Sequence, residues 1–260
     1  MTLWQGILLG LVQGLTEFFP VSSSGHLAVV EAMTGVKTPG LFVEVALHVA
    51  TLGAVLVIYG RRLMQLALGV LRGRREDVRY AGLLVLATIP AGIIGVLFHA
   101  RIEAAFRTLS FVGAAFIVTG FVLWSTRRRS GEASEPTPWQ ALIVGAAQAV
   151  AVFPGISRSG STVSAALWCG LGAERAAEFS FLLAIPTIGG AALLEARHVA
   201  TDVAVVGALP LVASCVVAFV SGAWSIRFLV ALLRRGRFYA FAPYCWAVGV
   251  LTLVYARWLD

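Results

Sequence analysis

Two short polar stretches hold the residues in this chain that are able to do chemistry. The first, Gln13–His26 (QGLTEFFPVSSSGH), carries a glutamate, three serines and a histidine. The second, Phe153–Thr162 (FPGISRSGST), carries an arginine, four hydroxyls and two glycines. The guanidinium fork of Arg158 matches phosphate oxygens two at a time, and the match is strong where water is scarce. Gly155 and Gly160 allow the close backbone approach that an amide nest for an anion needs. Ser157, Ser159, Ser161 and Thr162 can donate to phosphate oxygens, and a helix starting near Ser161 would add its positive end. The first stretch offers the complement. Glu17 can hold a divalent cation or act as a general base, and His26 can carry a proton. Ser22, Ser23 and Ser24 offer a nucleophile, which requires such a base beside it. Set against this are plainer roles: Arg158 paired with a structural carboxylate, Glu17 as a protonated hydrogen-bond donor between helices, and His26 as a cap.

The surroundings decide how much weight these clusters carry. Of 260 residues, 59% are apolar and only 13% are charged, with a mean hydropathy of +0.88. A soluble domain carries roughly a quarter charged residues, so the composition is that of a polytopic membrane protein. At membrane depth, charge and hydroxyls are costly, and clusters of them mark function. The net charge of +7 does not imply nucleic acid, because the arginines fall between apolar runs, as in loops facing the cytoplasm. Met1–Thr16 lacks the basic segment that opens a cleaved signal peptide. Cys169, Cys215 and Cys245 have no ligand-like spacing and read as small buried hydrophobes.

Apolar runs of spanning length predict six transmembrane helices: Val43–Tyr59, Tyr80–Phe98, Thr108–Thr126, Ala176–Leu194, Val203–Ile226 and Phe238–Ala256. Leu3–Thr16 and Trp139–Phe153 are too short to cross before they meet the two polar stretches. Each is followed by a second short apolar piece, Leu27–Thr34 and Val163–Leu171. Both therefore read as re-entrant helical hairpins with polar tips, tolerated only where protein or a wet cavity satisfies the tip backbone. The halves repeat at an offset of 135: Trp4-Gln5 recurs as Trp139-Gln140 and Gln13 as Gln148; Phe19-Pro20 answers Phe153-Pro154, and after a one-residue insertion Gly25 answers Gly160. Three spans per half is an odd number, so the second half enters from the opposite side. The expected fold is all-α, with an inverted-topology repeat made of residues 1–130 and 139–260 joined by a linker at 131–138. The loops at 61–79, 127–129 and 227–237, with Arg175, are arginine-rich, which places that face in the cytoplasm, both termini outside, and the first hairpin dipping in from outside.

Glu44 and His48 lie one helical turn apart and read as support behind the site or as glue between helices. Glu174, Arg175 and Glu178 form a charge group where a span meets the interface, and His99 and His198 are expected in loops.

QGLTEFFPVSSSGH together with PGISRSGST resembles the undecaprenyl-pyrophosphate phosphatase family, the bacitracin-resistance proteins, over essentially the whole chain. The resemblance implies hydrolysis of undecaprenyl pyrophosphate to the monophosphate, recycling the carrier lipid of cell-wall synthesis, and the arginine-rich loops put that site on the outer side of the plasma membrane. It assigns Gln13 and Glu17 to an acidic-motif pair, Ser23 and His26 to nucleophile and proton carrier, and Ser157, Arg158 and Thr162 to phosphate binding. From the residues, Ser22, Ser159 and Gly160 join the substrate-binding set. The resemblance also implies dependence on Mg²⁺ or Ca²⁺, with Glu17 as the metal residue. Gln13 departs from it mildly, being the neutral option at its position. The partners expected are a polyprenyl pyrophosphate lipid and the bilayer, without nucleic acid, and the apolar outer faces permit a homodimer without requiring one. A phosphohistidine-type lipid phosphatase fits poorly, because no histidine stands at the needed distance after Arg158 (Ser164 is there). A transporter of the same lipid is the reading from another class.

Overall fold

The computed structural model describes residues 1–36, 42–129, 131–133, 135–195 and 205–259. Among them are twelve α-helices, a short 3₁₀ turn at Phe238–Phe241 and no strand beyond one isolated parallel bridge between Ala133 and Leu171. Helix α1 (Leu3–Phe18) starts from a capping box, in which Thr2 accepts from the Gln5 amide and Gln5 reaches back. Helix α8 (Pro138–Val150) starts in the same way from Thr137 and Gln140, 135 positions later. At sixteen and thirteen residues these helices are about 24 and 20 Å long, short of a hydrocarbon layer of about 30 Å. Each turns back through a polar tip into a shorter arm, α2 (Ser23–Thr34) or α9 (Arg158–Trp168). The expected hairpins are therefore present, with two shifts in their bounds: α1 runs on through Glu17, and α9 begins at Arg158 rather than near Ser161.

Four helices, or helix continuations, are long and apolar enough to cross a membrane: α5 (Arg75–Leu97), α10 (Ala173–Glu195), α11 (Ala208–Arg234) and α12 (Ala242–Leu259, entered through the 3₁₀ turn). Two further stretches qualify only as pairs broken by a bend. Helix α3 (Phe42–Ile58) meets α4 (Gly60–Leu71) at 78°, and α6 (His99–Phe106) meets α7 (Leu109–Trp124) at 96°. The chain is thus a nearly all-helical polytopic membrane protein with four to six spans. Helices α4 and α6 occupy positions expected to be loops, so His99 opens a helix instead of lying in a loop. His198 and the start of the fifth expected span, at Val203, lie outside the described residues.

Hydrophobic packing pairs the two halves of the chain. The short arm α1 lies along α11, α8 lies along α5, and α7 lies along α12. In water such apolar helices would associate through the hydrophobic effect, but in lipid close packing of small residues has to do it. Gly6, Gly10 and Gly14 form a stripe along α1, placed against the Pro210 carbonyl, the Ser214 backbone and Ala218 with Ser221. Gly145 on α8 meets the Ala87 backbone of α5 in the same manner. Helix α10 is the most enclosed of the candidate spans, with Phe179, Phe181, Leu182, Leu183 and Ala184 fully buried where it packs among α3, α5, α9 and α11. Large apolar side chains such as Val96, Phe121, Val212 and Val220 face outward, where lipid is their solvent. On one face Glu178 accepts from Arg62 (2.8 Å) and Arg175 (3.1 Å), and Arg234 pairs with Glu174 (2.8 Å), so the expected interfacial charge group is an ion-pair cluster joining α4, α10 and α11. The cysteines are unpaired, with Cys245 buried and the other two half-buried.

Because no side chain fits between α1 and α11, a Gly10→Val replacement is expected to destabilise the fold by about 1–3 kcal/mol, as overpacking does. The measurement is thermal unfolding in detergent, where Gly10→Val should melt lower than a control substitution at the lipid-facing Val216.

Candidate functional site

The two hairpin tips cross backbone to backbone. A Cβ on Gly25 would fall 2.9 Å from the Gly155 Cα and 2.7 Å from the Phe116 ring. Gly155 sits at φ 89°, in the region that glycine alone enters freely, with the Val112 carbonyl 2.6 Å from where its Cβ would stand. Ser22 fastens the crossing. Its hydroxyl accepts from the Gly155 amide of the other tip (3.1 Å) and from the Gly25 amide of its own (3.3 Å), acting as N-cap of α2. Ser22 does so at φ 66°, the one positive value outside glycine among the described residues. Such strain persists only where surrounding bonds enforce it, and it gathers at functional sites. Behind the second tip, Thr119 on α7 donates to the Gly155 carbonyl (2.9 Å) and accepts from the Ser157 amide (3.1 Å).

Across this crossing Arg158 donates through Nη2 to Glu17 Oε1, joining the first residue of α9 to the end of α1. Both side chains are largely shielded, Glu17 at 4% exposure and Arg158 at 16%. The other carboxylate oxygen, Oε2, accepts from the Ser23 hydroxyl (2.6 Å) and the Gln13 amide (3.0 Å), and His48 Nε2 lies 3.2 Å away. His48 Nδ1 donates to the Glu44 carbonyl (2.7 Å). With Nδ1 committed as a donor, the Nε2 contact is a hydrogen bond only if a proton lies between His48 and Glu17. The carboxylate therefore serves four residues at once. The plain reading of Arg158 as partner to a carboxylate is correct as far as it goes, and the carboxylate is the one the phosphate-site reading also required.

A cavity of about 240 Å³ opens beside this cluster. Its polar wall is Glu17, Ser22, Ser23, Ser24, Glu44, His48, Gln148, Ser157, Arg158 and Thr187. Its apolar wall includes Val45, Ile102, Phe106, Ile156, Ile188 and Ala191. Of the expected site residues, Glu17, Ser22, Ser23, Ser157 and Arg158 thus share one cavity. Gln13 stands behind it, holding Glu17. Four others do not reach it. His26 faces the opposite side of α2, where Nδ1 donates to the Ser22 carbonyl (2.7 Å) and Nε2 accepts from the Tyr244 hydroxyl (2.8 Å), with the two rings stacked at 5.7 Å. Ser159 donates to the Phe19 carbonyl (3.1 Å), and Gly160 packs by Pro20 and donates to Ser157 Oγ (3.0 Å). Thr162 is wholly buried against Ser180 Oγ (2.6 Å) and the Arg158 carbonyl (2.8 Å). The physical reason is the early start of α9: from Arg158 onward, successive side chains point around a helix and not all toward one ligand.

The group closest to Glu17 that the tip motifs do not contain is His48. Its signal in the sequence was the Glu44/His48 pair, which places two polar groups on one face of an otherwise apolar helix. Among the described residues no three His, Cys, Asp or Glu side chains converge as ligands. With Glu17 also engaged by four donors, the residues present do not fit a divalent ion held by the protein alone.

Ser22→Ala is expected to strand the Gly25 and Gly155 amides in a dry crossing and to cost about 2–4 kcal/mol, combining the lost cap with unsatisfied donors. Ser22→Gly, which relieves the strained φ but also lacks the hydroxyl, should recover part of that loss in the same unfolding measurement.

Comparison with known proteins shows the family. The family model for bacitracin resistance protein BacA matches residues 6–251. An undecaprenyl-diphosphatase of Syntrophotalea carbinolica is 44% identical over 257 residues, covering 96% of this chain and 97% of the relative. Relatives bearing the same name from Desulfosudis oleivorans and Desulfatibacillum aliphaticivorans are 41% and 40% identical, over 96% and 95% of this chain and 97% and 96% of the relatives. With the match running nearly end to end and both tip motifs inside it, the chain belongs to the BacA family of bacitracin-resistance proteins.

Proposed function

We propose that the chain is an integral-membrane phosphatase that hydrolyses undecaprenyl diphosphate to the monophosphate and inorganic phosphate, recycling the carrier lipid of cell-wall synthesis and so conferring bacitracin resistance. The observation that carries this reading is the meeting of the two tips: an arginine and a serine-bearing glutamate in one cavity, with an apolar wall beside them. The site faces the outer side of the bacterial plasma membrane, on the strength of the arginine-rich loops at the other end. The reciprocal packing of α1 on α11 and α8 on α5 supports division of the chain into inverted halves, residues 1–130 and 139–260.

Phosphoryl transfer asks mainly for positioning and charge stabilisation. Arg158 spends two donors at rest, on Glu17 and on the Ser180 carbonyl (3.4 Å), and a guanidinium has five. The others meet the phosphate oxygens. Ser23 Oγ attacks the terminal phosphorus while its proton passes to Glu17 Oε2, already 2.6 Å away. The bond from phosphorus to the bridging oxygen breaks, and the lipid monophosphate leaves with the electron pair and takes up the proton from Glu17. Water then attacks the phosphoserine, its proton going to the freed Glu17 carboxylate and from there to Ser23 Oγ as the phosphorus–Oγ bond breaks, which releases phosphate with the serine restored. His48 shares the proton on Glu17. His26 is a positioning residue in this scheme, holding the Ser22 carbonyl beside the nucleophile. No step is assigned to a divalent cation. A dependence on Mg²⁺ or Ca²⁺ is retained as a proposal, with the ion entering on the diphosphate.

Purified protein in detergent, with no gradient, should release phosphate from undecaprenyl diphosphate, and chelator should suppress the release. Arg158→Ala should lower turnover at least 100-fold, the scale of removing a preorganised charge donor, with folding retained. Rapid quenching should trap phosphate on Ser23. Full activity in Ser23→Ala would hand the attack to water.

A further inference from the structure

Gln148 is 1% exposed and lines the cavity, yet its Oε1 has no hydrogen-bond partner. Its Nε2 donates to Thr187 Oγ1 (3.1 Å), and Thr187 donates in turn to the Leu183 carbonyl (2.9 Å). A buried amide left half satisfied is uncommon and calls for a partner. Gln148 is the counterpart of Gln13 at an offset of 135; both keep an unpartnered Oε1, but only Gln148 lines the cavity, and their Nε2 groups go to different partners. Gln13 has Glu17 one turn on and gives its amide to that acid, whereas Gln148 has Val152 one turn on and turns instead to α10. The second hairpin therefore presents a neutral amide to the cavity where the first presents a carboxylate.

Either orientation of that amide leaves one atom for a ligand. As drawn, Oε1 is free. Rotated, Oε1 accepts from the Thr187 hydroxyl, and an N–H is delivered to the cavity. Leu183 loses nothing essential in the exchange, since its carbonyl keeps the helical bond from the Thr187 amide. The rotated form suits a phosphate oxygen, which only accepts. Thr187 is followed by Ile188 and, one turn on, by Ala191, both on the apolar wall. Gln148 thus stands where the polar lining gives way to the surface that would carry the isoprenoid.

We infer that Gln148, seated on Thr187, binds the lipid-side phosphate of the diphosphate, the one that departs with the isoprenoid, while Arg158 holds the phosphate that is transferred. This rests on the phosphatase reading. Its role is that of a substrate-positioning residue, and its neutrality is part of the design, because an acid there would repel the ligand.

The test compares the unmodified protein with Gln148→Leu and Gln148→Asn, using undecaprenyl diphosphate as substrate and two inhibitors, inorganic phosphate and undecaprenyl monophosphate. Loss of one hydrogen bond to a charged group corresponds to about a 10- to 100-fold fall in kcat/KM. The inhibition constant for undecaprenyl monophosphate should rise by a similar factor while that for inorganic phosphate stays put. Gln148→Asn, which keeps the amide but withdraws it, serves if the leucine variant folds poorly, and should show the same selectivity. Unchanged kcat/KM, or equal rises in both inhibition constants, would overturn the assignment. Absence of phosphate release by the unmodified protein would instead remove the phosphatase reading itself, so the two failures are distinct.

Discussion

The structure depends on one ion pair made where ion pairs are expensive. Glu17 and Arg158 come from opposite hairpins and meet at the cavity wall, largely shielded from bulk water. Removing a carboxylate and a guanidinium from solvent costs several kcal/mol each, and their attraction offsets this only when the remaining lone pairs and protons are also satisfied. That condition is met on the acid by Ser23, Gln13 and His48; on Arg158 the Ser180 carbonyl takes one further donor and the rest are left for the cavity. Five elements, α1, α2, α3, α9 and α10, are thereby tied to a single charge centre. Stability alone would be served as well by an apolar contact of the same shape, so charge kept at this place fits the proposed role of the pair in phosphoryl transfer.

Bringing those charges together dictates the backbone around them. Two helical arms must stop short, turn inside the protein and pass each other at closer than side-chain distance. Gly25 and Gly155 supply the closeness, Ser22 supplies the fastening at the cost of a strained φ, and Thr119 satisfies the amide and carbonyl that the turn leaves open. The glycine stripe on α1 performs the same service at the outer flank, letting α11 approach near enough to hold the arm in place.

Much of this was legible in the chain, and what was not has definite causes. Hydropathy exposes a span because about twenty apolar residues have few other uses, and a serine-, glycine- and arginine-rich tip between two short apolar arms has one plausible geometry. Helices α4 and α6 escaped because they are short and flank arginines, so that composition makes them look like loops. The misplacement of His26 has a subtler origin: at a tip, a shift of one residue in where a helix begins rotates every later side chain by about 100°. The same uncertainty put Ser159, Gly160 and Thr162 at the ligand when they belong to the packing behind it. His48 was visible as a polar group with Glu44 on an apolar face, but its destination, a carboxylate thirty-one positions away, is set by how α3 leans on α1 and lies beyond any local pattern.

The crossing of the tips also limits how the molecule can move. A carrier that exposes a midplane site first to one leaflet and then to the other must let its two inverted halves slide or rock along their interface. Here that interface is bolted at its centre by Ser22 to Gly155, by Glu17 to Arg158 and by Ser159 to the Phe19 carbonyl. Rocking would have to shear all three inside a largely buried interface. The contacts that would assemble the proposed reaction centre also lock the two tips together, which suits cutting a lipid in place better than ferrying it across.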